Sequence, residues 1–197
     1  MNVAILLFDG FETLDVFGPV EIFGRIKDRF RINFYSLRGD MIKNEHGISI
    51  ATQKLEEITD GVDIFLIPGG PGTRKELDNV QLIETIKKIS DISKYVLTVC
   101  TGSALLAKTG LLNGLKATSN KKAFDWVTKS NDAVEWIREA RWTVDEKYYT
   151  SSGVSAGMDM SFGFLCDLFG VDFARKIAFE MEYQWQENKN TDHFYQQ

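Results

Sequence analysis

Three stretches of the chain are apolar at nearly every position: Val3 to Phe8, Val62 to Ile67 and Tyr95 to Val99. Short runs without alternation predict strands buried on both faces, as in a parallel sheet. Each run leads through a loop into a segment of helical period. Glu12 to Ile26 carries Leu14, Phe17, Val20, Ile22, Phe23 and Ile26, and Val80 to Ile92 carries Leu82, Ile83, Ile86 and Ile89. Thr101 to Leu112 follows the third run. Strand alternating with helix predicts an α/β fold of three layers, a mainly parallel sheet with helices on both faces.

Ile32 to Leu37 reads as a further strand and Ile48 to Thr52 as a short strand after a turn. Ala140 to Val144 and Lys147 to Ser151 flank Asp145-Glu146 and predict a hairpin. Ser155 to Phe169 predicts a helix with Ser155 as N-cap and Gly170 as stop, and Asp172 to Gln186 a last helix. From Glu187 onward the chain is polar and is expected to be mobile, with His193-Phe194-Tyr195 the part suited to docking. No linker, repeat or low-complexity tract interrupts the pattern, so residues 1–197 read as a single domain.

Composition narrows the function classes. The formal charge is −5, and no basic block stands out, which argues against nucleic acid as a partner. Met1 runs directly into the first apolar stretch, which breaks at Asp9-Gly10. That stretch is expected to be a strand and not a signal peptide. No apolar run is long enough to cross a bilayer, so no membrane partner and a cytoplasmic location are expected. The two cysteines, Cys100 and Cys166, suit a reducing compartment and are too few for a cysteine zinc cluster.

The most informative joint is Thr98-Val99-Cys100-Thr101-Gly102-Ser103. Strand-forming residues end at the cysteine and helix-forming residues begin at once, with no turn residue between. The chain must reverse at Cys100 itself, the geometry of a nucleophile elbow. A free cysteine is usually a small buried hydrophobe, but that role predicts a place inside an element and not at its joint. Cys166, on an apolar helix face, fits the packing role. At a helix N-terminus the Cys100 thiol is expected to favour thiolate.

Ligand sites in open α/β sheets form beyond the carboxyl ends of the strands. The second strand end runs into Pro68-Gly69-Gly70-Pro71-Gly72. Glycines there let backbone N–H groups approach a ligand, and Gly70 with Thr101 would make a two-donor oxyanion hole beside Cys100. The first strand end leads to Asp15 among Leu14, Val16 and Phe17. A carboxyl there could simply complement the helix dipole. Desolvated, it would have a raised pKa and suit proton transfer. Glu12 reads as exposed near the turn, and Glu21 falls on another helical face. Only His46 and His193 exist, in a turn and in the tail. A Cys100/Asp15 pair is therefore preferred over a histidine triad, and no metal or other cofactor is expected.

Cys100-Thr101-Gly102-Ser103 with Gly110-Leu111-Leu112-Asn113-Gly114, Ile67-Pro68-Gly69-Gly70, Asp15-Val16-Phe17-Gly18-Pro19-Val20-Glu21, and Ser152 through Asp159 resemble the ThiJ/PfpI superfamily, with its class I glutaminase-like, flavodoxin-like fold. The aspartate form of the Asp15 motif resembles the isonitrile hydratase branch and the amidase-like domain of AraC-type regulators. The resemblance implies Cys100 as nucleophile, Asp15 as acid/base partner, Gly70 and Thr101 as backbone donors, a small-molecule substrate and a homodimer.

Two departures stand out. The branch carries a histidine after an Ala-Thr-Thr-like stretch, where here Ala117-Thr118-Ser119 runs into Asn120. Protease-like relatives carry a histidine directly after the cysteine, where here Thr101 follows. The expectation is a cofactor-independent cysteine enzyme hydrating an isonitrile to an N-formamide. The alternatives are an amidase or protease-like hydrolase, a non-catalytic redox sensor oxidised at Cys100, and a ligand-binding module. Phe11, Phe124, Trp126 and Trp136 are candidates for the substrate pocket.

Overall fold

A computed structural model describes residues 1–26, 28–59 and 61–196. Its centre is a seven-stranded sheet. In chain order the elements begin with β1 (Asn2–Leu6), α1 (Thr13–Gly24) and β2 (Arg31–Ser36). A separate two-stranded hairpin of β3 (Met41–Lys43) and β4 (Ser49–Ala51) follows, then β5 (Gln53–Lys54). The middle of the chain supplies β6 (Ile64–Ile67), α2 (Thr73–Glu76), α3 (Val80–Ile92), β7 (Tyr95–Thr98) and α4 (Gly102–Lys108). A small pair of β8 (Lys116–Ala117) and β9 (Glu135–Trp136) brackets α5 (Phe124–Val127). The chain closes with β10 (Trp142–Asp145), β11 (Tyr148–Ser151), α6 (Ala156–Phe169) and α7 (Val171–Glu180).

The sheet order is β10-β11-β7-β6-β1-β2-β5. Every pairing is parallel except the β10–β11 hairpin at one edge. The expected pattern of short apolar runs therefore holds: β6 is buried at every position, and β1 and β7 at all but their first. Residues with both faces covered must be apolar on both. Helix α3 turns Leu82, Ile86 and Ile89 inward, as its period requires. Helix α6 is buried nearly all round, and Phe164 stands edge-on 5.0 Å from Tyr95 and 5.2 Å from Tyr149.

The C-terminal region differs from expectation. The last helix ends at Glu180 and not at Gln186. Asp159, wholly buried in α6, needs donors, and it draws them from the segment beyond the helix. The Tyr183 hydroxyl and the Gln186 N–H both donate to its Oδ1 at 3.0 Å. A buried carboxylate left without donors costs more than a few turns of helix return.

The polar stretch after Glu187 makes bonds back to the body of the fold. Arg141 N and Trp142 N donate to the Lys189 carbonyl at 2.8 and 3.2 Å. Asp192 is fully buried and paired with Arg141 at 3.4 Å, while Arg141 also grips Asp159 at 2.6 Å. Ser155 precedes α6 as expected but makes no side-chain cap. Its hydroxyl accepts from Arg141 Nη2 at 3.3 Å instead.

Candidate active site

Strands β7, β6 and β1 are neighbours, so their carboxyl ends deliver three loops to one place. The loops are tied to one another. Glu12 N donates to Gly69 O at 2.8 Å, and Gly72 N to Gly10 O at 3.2 Å. The Cys100 N–H donates to Ser152 O at 3.2 Å, which joins the end of β7 to the loop after β11.

Cys100 sits at the joint between β7 and α4 with φ +58°. A positive φ at a non-glycine residue is uncommon and costs conformational energy. Here the strand before it and the helix after it impose the reversal. The elbow read from the sequence is thus present, and the side chain is 5% exposed.

Asp15 lies on the first turn of α1 and has no exposed surface. Its Oδ2 accepts the Gly69 N–H at 2.9 Å, while Oδ1 has no partner of its own. Burial raises the carboxyl to about 8, against the Gly69 N–H, which lowers it; the charge of Glu12 adds to the rise. The thiol of Cys100 and the N–H of Val154 stand against the carboxyl and pull the other way. Asp15 therefore keeps its proton at neutral pH. Glu12 is half-buried, not exposed, and its Oε1 caps α1 by accepting from Thr13 N at 3.0 Å.

The thiol does not behave as the helix terminus alone predicts. Burial raises its pKa well above the ordinary thiol value, and the nearby Asp15 carboxylate adds to the rise. The Thr101 N–H, the Asn120 side-chain amide and the Thr101 hydroxyl oppose this. Desolvation of a charge exceeds the pull of one short helix's dipole. The resting pair is a thiol beside a carboxylic acid.

Gly70 also departs from expectation. Its N–H donates to Thr101 Oγ1 at 3.0 Å, an atom that also lies 3.0 Å from Thr73 Oγ1. In this geometry Gly70 is not a free donor facing the sulfur. Gly69 is the glycine the approach demands: a Cβ there would lie 2.5 Å from Thr101 N and 2.9 Å from Cys100 Cβ.

The histidines are engaged elsewhere. His46 Nδ1 lies 2.5 Å from Thr13 Oγ1, and His193 Nε2 lies 3.2 Å from Gln186 Nε2. Glu21 is exposed and paired with Arg25. Among the described residues, no group of three or more His, Cys, Asp or Glu side chains is placed to hold a metal ion. No helix of the described residues is long and apolar enough to cross a membrane.

A groove of about 580 Å³ opens beside the elbow, lined by Asn120, Lys121, Lys122, Ser152, Gly153, Val154 and Phe194. The sequence reading missed most of these. Phe11 is core, and Phe124 packs on Trp136 at 6.3 Å, so the four aromatics expected at the pocket do not line it. Its apolar surface comes from Phe194 in the tail and from Val154, a β-branched residue at φ +49°. Lys121 is buried at its edge, its Nζ donating to Thr118 Oγ1 at 2.7 Å and Ala140 O at 2.6 Å, and burial lowers its pKa to about 8. The signal for Asn120 was its place after Ala117-Thr118-Ser119; Phe194 lies in the stretch read as suited to docking, but nothing local said where it would dock.

A sequence profile of the DJ-1/PfpI family matches residues 1–166. An isonitrile hydratase of Pseudomonas putida is 26% identical over 185 residues, covering 93% of this chain and 78% of that protein. Deglycase TK1284 of Thermococcus kodakarensis is 30% identical over 154 residues, covering 77% and 89%. A THiJ/PfpI family protein from Pseudomonas syringae superposes with a TM-score of 0.84 at 26% identity, covering 93% of this chain and 75% of that one.

Proposed function

The chain belongs to the DJ-1/PfpI family, and from that premise we propose that it is a cofactor-independent cysteine enzyme that hydrates an isonitrile to an N-formamide. The observation that carries the reading is the buried Asp15 carboxyl, protonated at neutral pH, beside a buried thiol on a strained elbow. An isonitrile carbon needs a proton and a nucleophile together, and this pair holds both.

The steps follow from that starting state. As Sγ closes on the isonitrile carbon, the carboxyl proton passes to that carbon and the thiol proton passes to the carboxylate oxygen. The result is a thioimidate, R–N=CH–S–Cys100, with Asp15 protonated again. Water then adds to the same carbon, giving a proton to Asp15 while Asp15 protonates the nitrogen. The C–S bond breaks, the sulfur takes back a proton from the new hydroxyl through Asp15, and R–NH–CHO leaves. Positioned acid–base transfer of this kind contributes about 10²–10⁴-fold.

A second reading is thiol-dependent hydrolysis, favoured by the deglycase relative. The redox reading fits less well, because oxidation follows thiolate character and exposure and Cys100 has little of either. The family resemblance adds a homodimer and a cytoplasmic setting to the proposal.

The test is consumption of aryl and alkyl isonitriles, methylglyoxal, glutamine and a chromogenic peptide by wild type, Cys100→Ala and Asp15→Asn. Formamide production lost in both variants, with circular dichroism unchanged, supports the reading. Turnover confined to glutamine or the peptide moves it to the hydrolase class, and turnover confined to methylglyoxal moves it to thiol chemistry on an α-oxoaldehyde.

A further inference from the structure

The loop donor expected at Gly70 is taken up by the Thr101 hydroxyl, so charge developing at Cys100 meets the Thr101 N–H, the Thr101 hydroxyl and one further group. That group is the side-chain amide of Asn120. Three features hold it there. Its Oδ1 accepts the Ala123 N–H at 3.0 Å, which fixes the amide's orientation and turns Nδ2 the other way. Its Nδ2 packs against Gly153 so tightly that a Cβ at that position would lie 2.1 Å away. The preceding Ser119 hydroxyl donates to the Cys100 carbonyl at 2.8 Å and ties the segment to the elbow. Asn120 also lines the groove, together with Ser152, whose carbonyl accepts the Cys100 N–H.

We propose that Asn120 supplies the second N–H donor of the reaction centre, holding the charge that develops on Cys100 Sγ and on the substrate heteroatom, in place of Gly70. The proposal rests on the reading of Cys100 as a nucleophile. A neutral amide donates at every working pH. It stabilises charge without taking up a proton, which leaves Asp15 as the group that moves protons. This suits an uncharged substrate whose heteroatom gains a lone pair during attack, such as an isonitrile nitrogen.

Two variants and two readouts decide the matter. Asn120→Asp keeps the acceptor for the Ala123 N–H and the size of the side chain while removing the donor; Asn120→Ala removes both. The first readout is the rate of Cys100 alkylation by iodoacetamide from pH 6 to 10, followed by peptide mass to separate Cys166. The second is kcat against KM for isonitrile turnover. Loss of one such donor typically lowers kcat about 10²–10³-fold. We expect a loss of that size in both variants with little change in KM, and alkylation at pH 8 slowed about tenfold or more, further in Asn120→Asp than in Asn120→Ala. Wild-type alkylation rates in both variants would overturn the proposal and leave Asn120 as packing against Gly153. If the wild type turns over no isonitrile, the functional reading fails, and the alkylation profiles still decide the role of Asn120.

Discussion

The backbone N–H of Gly69 donates to Asp15 Oδ2 at 2.9 Å, and so the loop after β6 holds the carboxyl that begins α1. The same glycine lies against Thr101 N and Cys100. One backbone position thus fixes the acid relative to the thiol. Gly69→Ala forces its new methyl against Thr101 N and Cys100 Cβ, neither of which can rotate away. We expect it to cost about 1–3 kcal/mol, read from the urea midpoint, and to lower turnover more than the small unfolded fraction explains. Wild-type activity and midpoint together would show that the contact is slack.

Asp15 sets the pH behaviour. Its folded pKa is raised, so its protonated form is the one the fold favours. The sign follows: its contribution to stability is full below the ordinary carboxylate range and is lost as pH rises through about 8. Wild type should lose stability on going from pH 6 to pH 9, and Asp15→Asn should lose less across the same interval. Turnover should fall over the same upper range as the acid is lost. Thermal melts at both pH values check the first statement. A wild-type stability that rises with pH in this window would contradict the assignment of the proton.

Val154 carries strain that the groove retains. A β-branched side chain at φ +49° is unfavourable. Asparagine tolerates that region better. Val154→Asn should therefore stabilise the protein by about 1 kcal/mol, which is about 2–4 °C in Tm for a chain of this size. Turnover should drop, because an apolar wall of the groove is replaced by an amide. A lower Tm would mean that packing at Val154 outweighs its backbone strain.

Arg141 clamps the C-terminal segment through Asp159 and Asp192, both fully buried. Arg141→Met leaves two carboxylates buried without their cation, and breaking a buried pair in this way costs about 3–5 kcal/mol. The segment carries Phe194 into the groove, so the variant should also weaken substrate binding. Limited proteolysis should cut after residue 187 in the variant and spare the wild type. Equal protection of the two would show that the segment is held by other contacts.

Local pattern determined much of this protein. The runs at β1, β6 and β7 had to be apolar because both faces of a central strand are covered, and that requirement is written in neighbouring residues. The joint at Cys100 was legible for the same reason: a strand and a helix with no turn residue between them leave only one place to reverse. Asp15, set among apolar neighbours on the first turn of α1, announced its own burial.

Tertiary structure decided what depends on groups far apart in the chain. The thiol's pKa rises because the whole fold removes water from it, which a helix terminus read in isolation does not reveal. Gly70 is taken up by a hydroxyl 31 residues away, and Asn120 is brought to the elbow by Ser119 and oriented by the Ala123 N–H. The C-terminal segment meets the body of the fold through carboxylates whose cation lies at the edge of the sheet. Periodicity records which side of an element meets the core, whereas desolvation and hydrogen-bond competition are set by whatever distant chain arrives there.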